Sequence, residues 1–233
     1  MSPRNPVSVE PTARVDALSS DLDGYLRYFE NLDLFTGPSV HFHMKTLGVL
    51  QQCGNAAAAA AEDRFAEYLY ATLTAWGLHR MGKTATKLLS FSDFAGSLRE
   101  AAPALRGVQN YRLLDLRPEQ LHNVVEAVWR LIHQLKLSVS ETKLVVNSKA
   151  LHHLLPELVP PIDREYTLTF FYGHKNLTRG DERTFKEIFP LFHRLGTRCA
   201  DSIRRNVGRG FSTSETKVID NAIVGFVAKT LKG

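Results

Sequence analysis

The distribution of apolar positions along the chain follows a helical period almost throughout. In "VDALSSDLDGYLRYFENLDLF" (15–35), Leu18, Leu22, Tyr25, Leu26 and Phe29 recur on one face, which predicts an amphipathic helix. Pro38 opens a second helix, "SVHFHMKTLGVLQQ", and Gly54 closes it. Asn55 is placed to cap a third, the alanine-rich "NAAAAAAEDRFAEYLYATLTAW" (55–76). "SDFAGSLREA" follows, then a looser stretch around Pro103 and Gly107, and then Pro118 at the first turn of a helix over 119–137. Ser140 is expected to cap "ETKLVVNSKALHHLL", which stops near Pro156. "DREYTLTFFYG" (163–173) alternates like a strand but lies between helices and is read as helix. Two further helices, "DERTFKEIFPLFHRLGTRCADSIRRN" and "STSETKVIDNAIVGFVAKTLK", complete the chain. No β-rich region with turn signals interrupts them, so the expected fold is all-α, a multi-helix globular protein.

Residues 1–13 hold three prolines and read as a disordered tail. Residues 14–233 form a single α-helical domain, divisible into lobes of about 14–137 and 138–233. The strings "SETKLVVN" (140–147) and "SETKVIDN" (214–221) echo one another. One shared octapeptide reads as two helix starts with the same capping chemistry, not as a repeat.

Composition narrows the functional classes. Hydrophobic residues make up 44% and charged residues 23% of 233 positions, ordinary for a folded domain that needs no staples. The cysteines, Cys53 and Cys199, are far apart and form no metal-type pair, which suits a reducing cytosol. No apolar signal region and no membrane-length apolar run is present, so a cytoplasmic protein without a membrane partner is expected. The net charge of +5 permits an anionic partner. Basic residues cluster in two Gly-containing loops, "GHKNLTRGDER" (173–183) and "RCADSIRRNVGRG" (198–210). These make Lys175, Arg179, Arg204, Arg205 and Arg209 candidates for phosphate contacts; solvated loop charge is the competing reading.

The string "GLHRMGKT" (77–84) matches G-x-x-x-x-G-K-[ST] letter for letter. A phosphate-binding loop needs a buried strand ahead of it, yet Phe65, Leu69, Leu73 and Trp76 mark a helical stripe there. Gly77 therefore reads as the glycine ending that helix, and Lys83 and Lys87 as residues that open the next one or face water. "HFH" (41–43) and "HH" (152–153) have spacings that point their rings apart on a helix, with no cysteine or carboxylate at ligand spacing. No metal and no cofactor is expected.

The richest stretch is "VNSKALHHLLPELVPPIDREY". Lys149 has Val145 one turn before it and His152 and His153 one turn after, surroundings that favour a free amine able to act as a nucleophile. Pro160 and Pro161 stiffen the turn that presents Asp163, a carboxylate placed to activate water or stabilise positive charge on a sugar. Tyr166 and Tyr172 are candidate stacking faces for an extruded base. This region resembles the helix-hairpin-helix DNA glycosylases, in which a helix carries a lysine and a Pro-containing turn presents an aspartate. The resemblance covers about twenty residues and aligns Val146, Asn147, Ser148 and Lys149 with the V-G-x-K hairpin, so Asn147 and Ser148 stand where the family approaches a DNA phosphate. It implies a glycosylase-like helical arrangement, DNA as partner, Lys149 and Asp163 as catalytic residues, and N-glycosylase or abasic-site lyase activity. Two other readings remain open at this level. Lys149 as a surface lysine and Asp163 as a simple helix cap leave a non-catalytic nucleic-acid-binding module or a protein-interaction module.

Overall fold

The structure is a computed structural model and describes residues 10–32, 34–78, 80–81 and 85–231. The N-terminal region is split by Asp21: α1 spans Pro11–Ser20 and α2 spans Leu22–Glu30. The Asp21 carboxylate accepts a hydrogen bond from Gly24 N at 3.1 Å and so starts a new helix inside a stretch whose apolar period reads as continuous. Pro11–Ala13 are helical, so the first helix starts inside the segment read as a tail; residues 1–9 lie outside the described residues. Helix α3 (Pro38–Cys53) begins on its proline and ends at Gly54 in the left-handed conformation, φ 76°. Asn55 caps the alanine run as expected, but the run breaks at Glu62. Two helices result, α4 (Ala56–Ala61) and α5 (Asp63–Leu73).

A single wide turn, Thr74–Leu78, follows α5, and the helical dihedrals stop inside it at Trp76 and Gly77, where φ is 79° at the glycine. Helix, not strand, precedes Gly77, which removes the strand-to-loop geometry a phosphate-binding loop requires. Lys83 lies outside the described residues. The short antiparallel pair β1 (Arg80–Met81) and β2 (Ala85–Thr86) is the sole sheet among the described residues.

Helix α6 (Phe91–Arg106) runs through Pro103, where a looser stretch was expected. Ala101, Ala102 and Leu105 continue its buried face, and that packing holds the last turn helical. Helix α7 (Pro118–Gln134) starts on Pro118. Helix α8 (Leu144–Leu154) begins later than Ser140, whose hydroxyl meets that of Thr142 at 2.9 Å. The cap comes instead from Asp181, whose Oδ2 accepts from Lys143 N at 2.6 Å and Leu144 N at 3.0 Å. Replacing Asp181 by Ala is expected to lower the unfolding free energy by about 1–2 kcal/mol, and Ser140→Ala to change it by only a few tenths, in paired urea titrations.

The remaining elements are α9 (Thr169–Tyr172), α10 (Asp181–Arg198), α11 (Ala200–Asn206) and α12 (Glu215–Thr230), with a break at Cys199. Residues 164–172 are helical, as their flanks suggest, between an extended Asp163 and a left-handed Gly173. Helix α12 is the centre of the molecule, buried on every face from Glu215 to Val227. It packs most extensively on α2 and also meets α9, α10 and α11. Helices α3 to α6 pack among themselves, and α8 bridges them to α7 and α10. One hydrophobic core runs from Val15 to Val227, and α1 and α2 pack with helices of the C-terminal half. No helix among the described residues is long and apolar enough to cross a membrane.

Candidate functional site

Lys149 and Asp163 open into one cavity of about 400 Å³. Its walls combine Leu34 and Phe35, Ser39 of α3, Ala75, Trp76 and Gly77 of the turn after α5, Pro161, Tyr166, and Lys217 and Asp220 of α12. The volume lies in the range of small-molecule sites, and the mixture of apolar walls with a few charged groups is typical of them.

Local hydrogen bonds explain how the two predicted residues meet. Asn147 donates from Nδ2 to the carbonyls of Ile132 (2.8 Å) and Leu135 (2.9 Å), which fastens α8 to the end of α7. Ser148 Oγ accepts from Ile162 N at 3.2 Å, which pins the proline corner to the residue beside Lys149. Both side chains are buried, so the phosphate contact expected of Asn147 and Ser148 is replaced by a positioning role. Asp163 Oδ1 accepts from Tyr166 N at 2.7 Å and Thr167 N at 3.3 Å, so the aspartate does cap the turn that follows it. That cap uses one oxygen and fixes the carboxylate on the rim of the cavity, so capping and cavity-facing roles coexist. Lys149 Nζ stands 5.6 Å from the centre of the Trp76 ring and forms no ion pair among the described residues.

The cavity holds a second charged pair. Lys217 Nζ donates to Asp220 Oδ2 at 2.5 Å, with both side chains almost fully buried. The ammonium lies 4.4 Å from the Phe211 ring centre, 4.8 Å from Phe35 and 5.8 Å from Trp76. Burial pushes the Lys217 amine down and the Asp220 carboxyl up, and each is partly offset by the other. No local signal marks this pair: the first turns of α12 carry Glu215, Thr216, Lys217, Asp220 and Asn221, which read as a polar end, and tertiary packing buries them.

Behind Lys149, tertiary packing gathers the histidines whose local spacing points them apart. His43 Nδ1 is 2.9 Å from His153 Nε2, and His153 Nδ1 is 2.8 Å from the Lys149 carbonyl oxygen. A carbonyl only accepts, so His153 carries its hydrogen on Nδ1 and receives one from His43, which in turn accepts from the Thr213 hydroxyl at 2.9 Å. The chain requires neutral rings. Burial accordingly pushes His153 down to about 4, and drives His43 and His152 well below the ordinary histidine value. The cations expected next to Lys149 are thus absent at His152 and His153; Lys217 supplies one instead.

The predicted basic loops lie elsewhere. Lys175 pairs with Glu165 at 2.6 Å, Arg179 with Glu187 at 3.1 Å, and Arg204 with Asp115 (2.5 Å) and Glu215 (3.3 Å). Arg205 faces Asp23 at 3.8 Å, and Arg209 donates to Asn206 at 3.3 Å. None of the five lines the Lys149 cavity. Tyr166 lines it, but Tyr172 borders a separate cavity and donates its hydroxyl to Glu187 at 3.0 Å. A basic group missed in the sequence does stand near Lys149. Lys87 is pushed down by burial and then by the charges of Arg164 and Lys149, and neither Lys87 nor Arg164 forms an ion pair among the described residues. The chain matches no protein-family model, no curated protein and no solved structure.

Proposed function

We propose that the protein is a nucleic-acid enzyme of base-excision type, with a helical arrangement like that of the helix-hairpin-helix glycosylases and DNA as its partner. One observation carries the reading: an amine and a carboxylate on rigid elements share an aromatic-walled cavity. Lys87 and Arg164 supply positive charge near Lys149, and neither is in an ion pair among the described residues. An extruded base enters against Tyr166 and Trp76. As the bond between sugar C1′ and the base breaks, its electron pair leaves with the base, and Asp163 stabilises the positive charge on the sugar. Lys149, its ammonium proton given up to solvent, then bonds to C1′; the C1′–O4′ bond breaks as the ring oxygen takes a proton from the nitrogen, and the imine so formed is reduced by borohydride to a stable amine.

The test is borohydride trapping with duplexes carrying one abasic site, uracil or 8-oxoguanine. Wild type is expected to form a covalent adduct and Lys149→Gln to form none. An untrapped wild type, or a variant that traps equally well, ends the enzyme reading. A second reading, a nucleoside-sized ligand without a polymer, is favoured by the internal pairing of Arg204, Arg205 and Lys175. Calorimetry with free nucleosides, alongside the duplexes, separates the two.

A further inference from the structure

The trapping scheme leaves Lys217 and Asp220 without a task, although both face the cavity that holds Lys149 and Asp163. Burying this pair is costly, because two charges lose their water and only the partner and three rings replace it. A bundle needing only stability does better with apolar residues at these positions, as it has at Val218, Ile219 and Ile223. The pair is also not needed to cap α12, since Ser214 Oγ accepts from Lys217 N at 3.2 Å and does that work.

From the 2.5 Å contact inside a shared cavity, we infer that Lys217 and Asp220 form its proton-transfer couple, with Lys217 as general acid. For the substrate side this rests on the base-excision reading. As the glycosidic bond breaks and its electron pair moves to the base nitrogen, the Lys217 ammonium gives that nitrogen a proton. Lys217 is left as a neutral amine, held in place by Asp220, and regains its proton from solvent after the base departs. Five groups face the couple from other elements: Lys149 on α8, Asp163 on the proline corner, and the neutral rings of His43, His152 and His153. The downward push on Lys217 is in the direction a proton donor needs, and Lys149 adds to it while Asp163 opposes it.

The deciding measurement is an NMR titration of carbon-labelled lysines in the ligand-free wild type, with Lys217 assigned by its loss in Lys217→Met/Asp220→Asn. That double variant removes both charges together, so neither is left buried alone; its melting curve reports whether it folds. Lys217 is expected to titrate below the exposed lysines of the same sample, and further below in Asp220→Asn. A Lys217 signal that follows the exposed lysines overturns the couple, whatever the DNA assays show. Where wild type excises a base, the double variant is expected to be slower by about 10²-fold and to lose the alkaline limb of the pH–rate profile. An unchanged limb overturns the general-acid role and leaves the base-excision reading standing. Absence of excision by wild type ends that reading, while the titration still decides the couple.

Discussion

Lowering the pH from 7.5 to 5 is expected to remove about 2 kcal/mol of stability for each of His43, His152 and His153, roughly 6 kcal/mol in all before offsets. In the folded chain these rings are neutral: burial holds His153 near 4 and the other two well below the ordinary value of 6.5. In the unfolded chain they regain that ordinary value and take up protons as the pH falls through it. The unfolded state therefore binds more protons, and the stability present above about pH 6.5 is lost as the pH falls. Asp220 and Glu157, pushed up by burial, gain protons first in the folded state and return part of the loss. Urea midpoints measured from pH 7.5 to 5 test this, and His153→Gln is expected to reduce the slope by about one proton. A flat profile contradicts it. The effect is large because typical domains hold only about 5–15 kcal/mol in total.

Gly225→Ala is expected to cost about 3 kcal/mol or more, a fall in melting temperature of about 6–12 °C. A methyl group there overlaps the carbonyl oxygen of Tyr25 and comes 3.0 Å from its carbon and 3.3 Å from Phe29 N. These are backbone atoms of α2, which cannot swing aside as a side chain can. The same change at Gly48 or Gly96, with nothing within 4 Å, is expected to be neutral or to stabilise by about 0.5–1 kcal/mol. Equal losses at all three positions refute the close-approach argument. Melting curves of the three variants suffice.

What the sequence disclosed follows the range of the interactions involved. Local signals were legible: Asn55 as a cap, Pro118 at a first turn, and Gly54 and Gly77 as helix ends all have their expected geometry. Breaks at Asp21 and Glu62 were not legible, since an acidic residue within an amphipathic period reads as part of the solvent face. The cap on α8 comes from Asp181 on another helix, and no local pattern near Ser140 announces it. At the site, Lys149, Asp163 and Tyr166 were read from one stretch and share a cavity. Lys217, Asp220, Phe35 and Trp76 reach that cavity from distant segments, so only the tertiary fold unites them. The basic loops misled for a related reason. A cluster of arginines in sequence says nothing of the carboxylates that Asp115, Glu215, Asp23 and Glu187 bring to it from elsewhere.

The embrace of α2 by α12 has a consequence during synthesis. Tyr25 and Gly225, whose backbones touch in the finished protein, stand two hundred positions apart. Contacts of such separation form late and slowly, because a long loop must close before they reward the chain. While the ribosome is still making residues 215–230, the apolar stripe of Leu22, Leu26 and Phe29 has no native surface to cover it. Until α12 is made, that stripe is a part of the nascent chain open to association with other apolar surfaces.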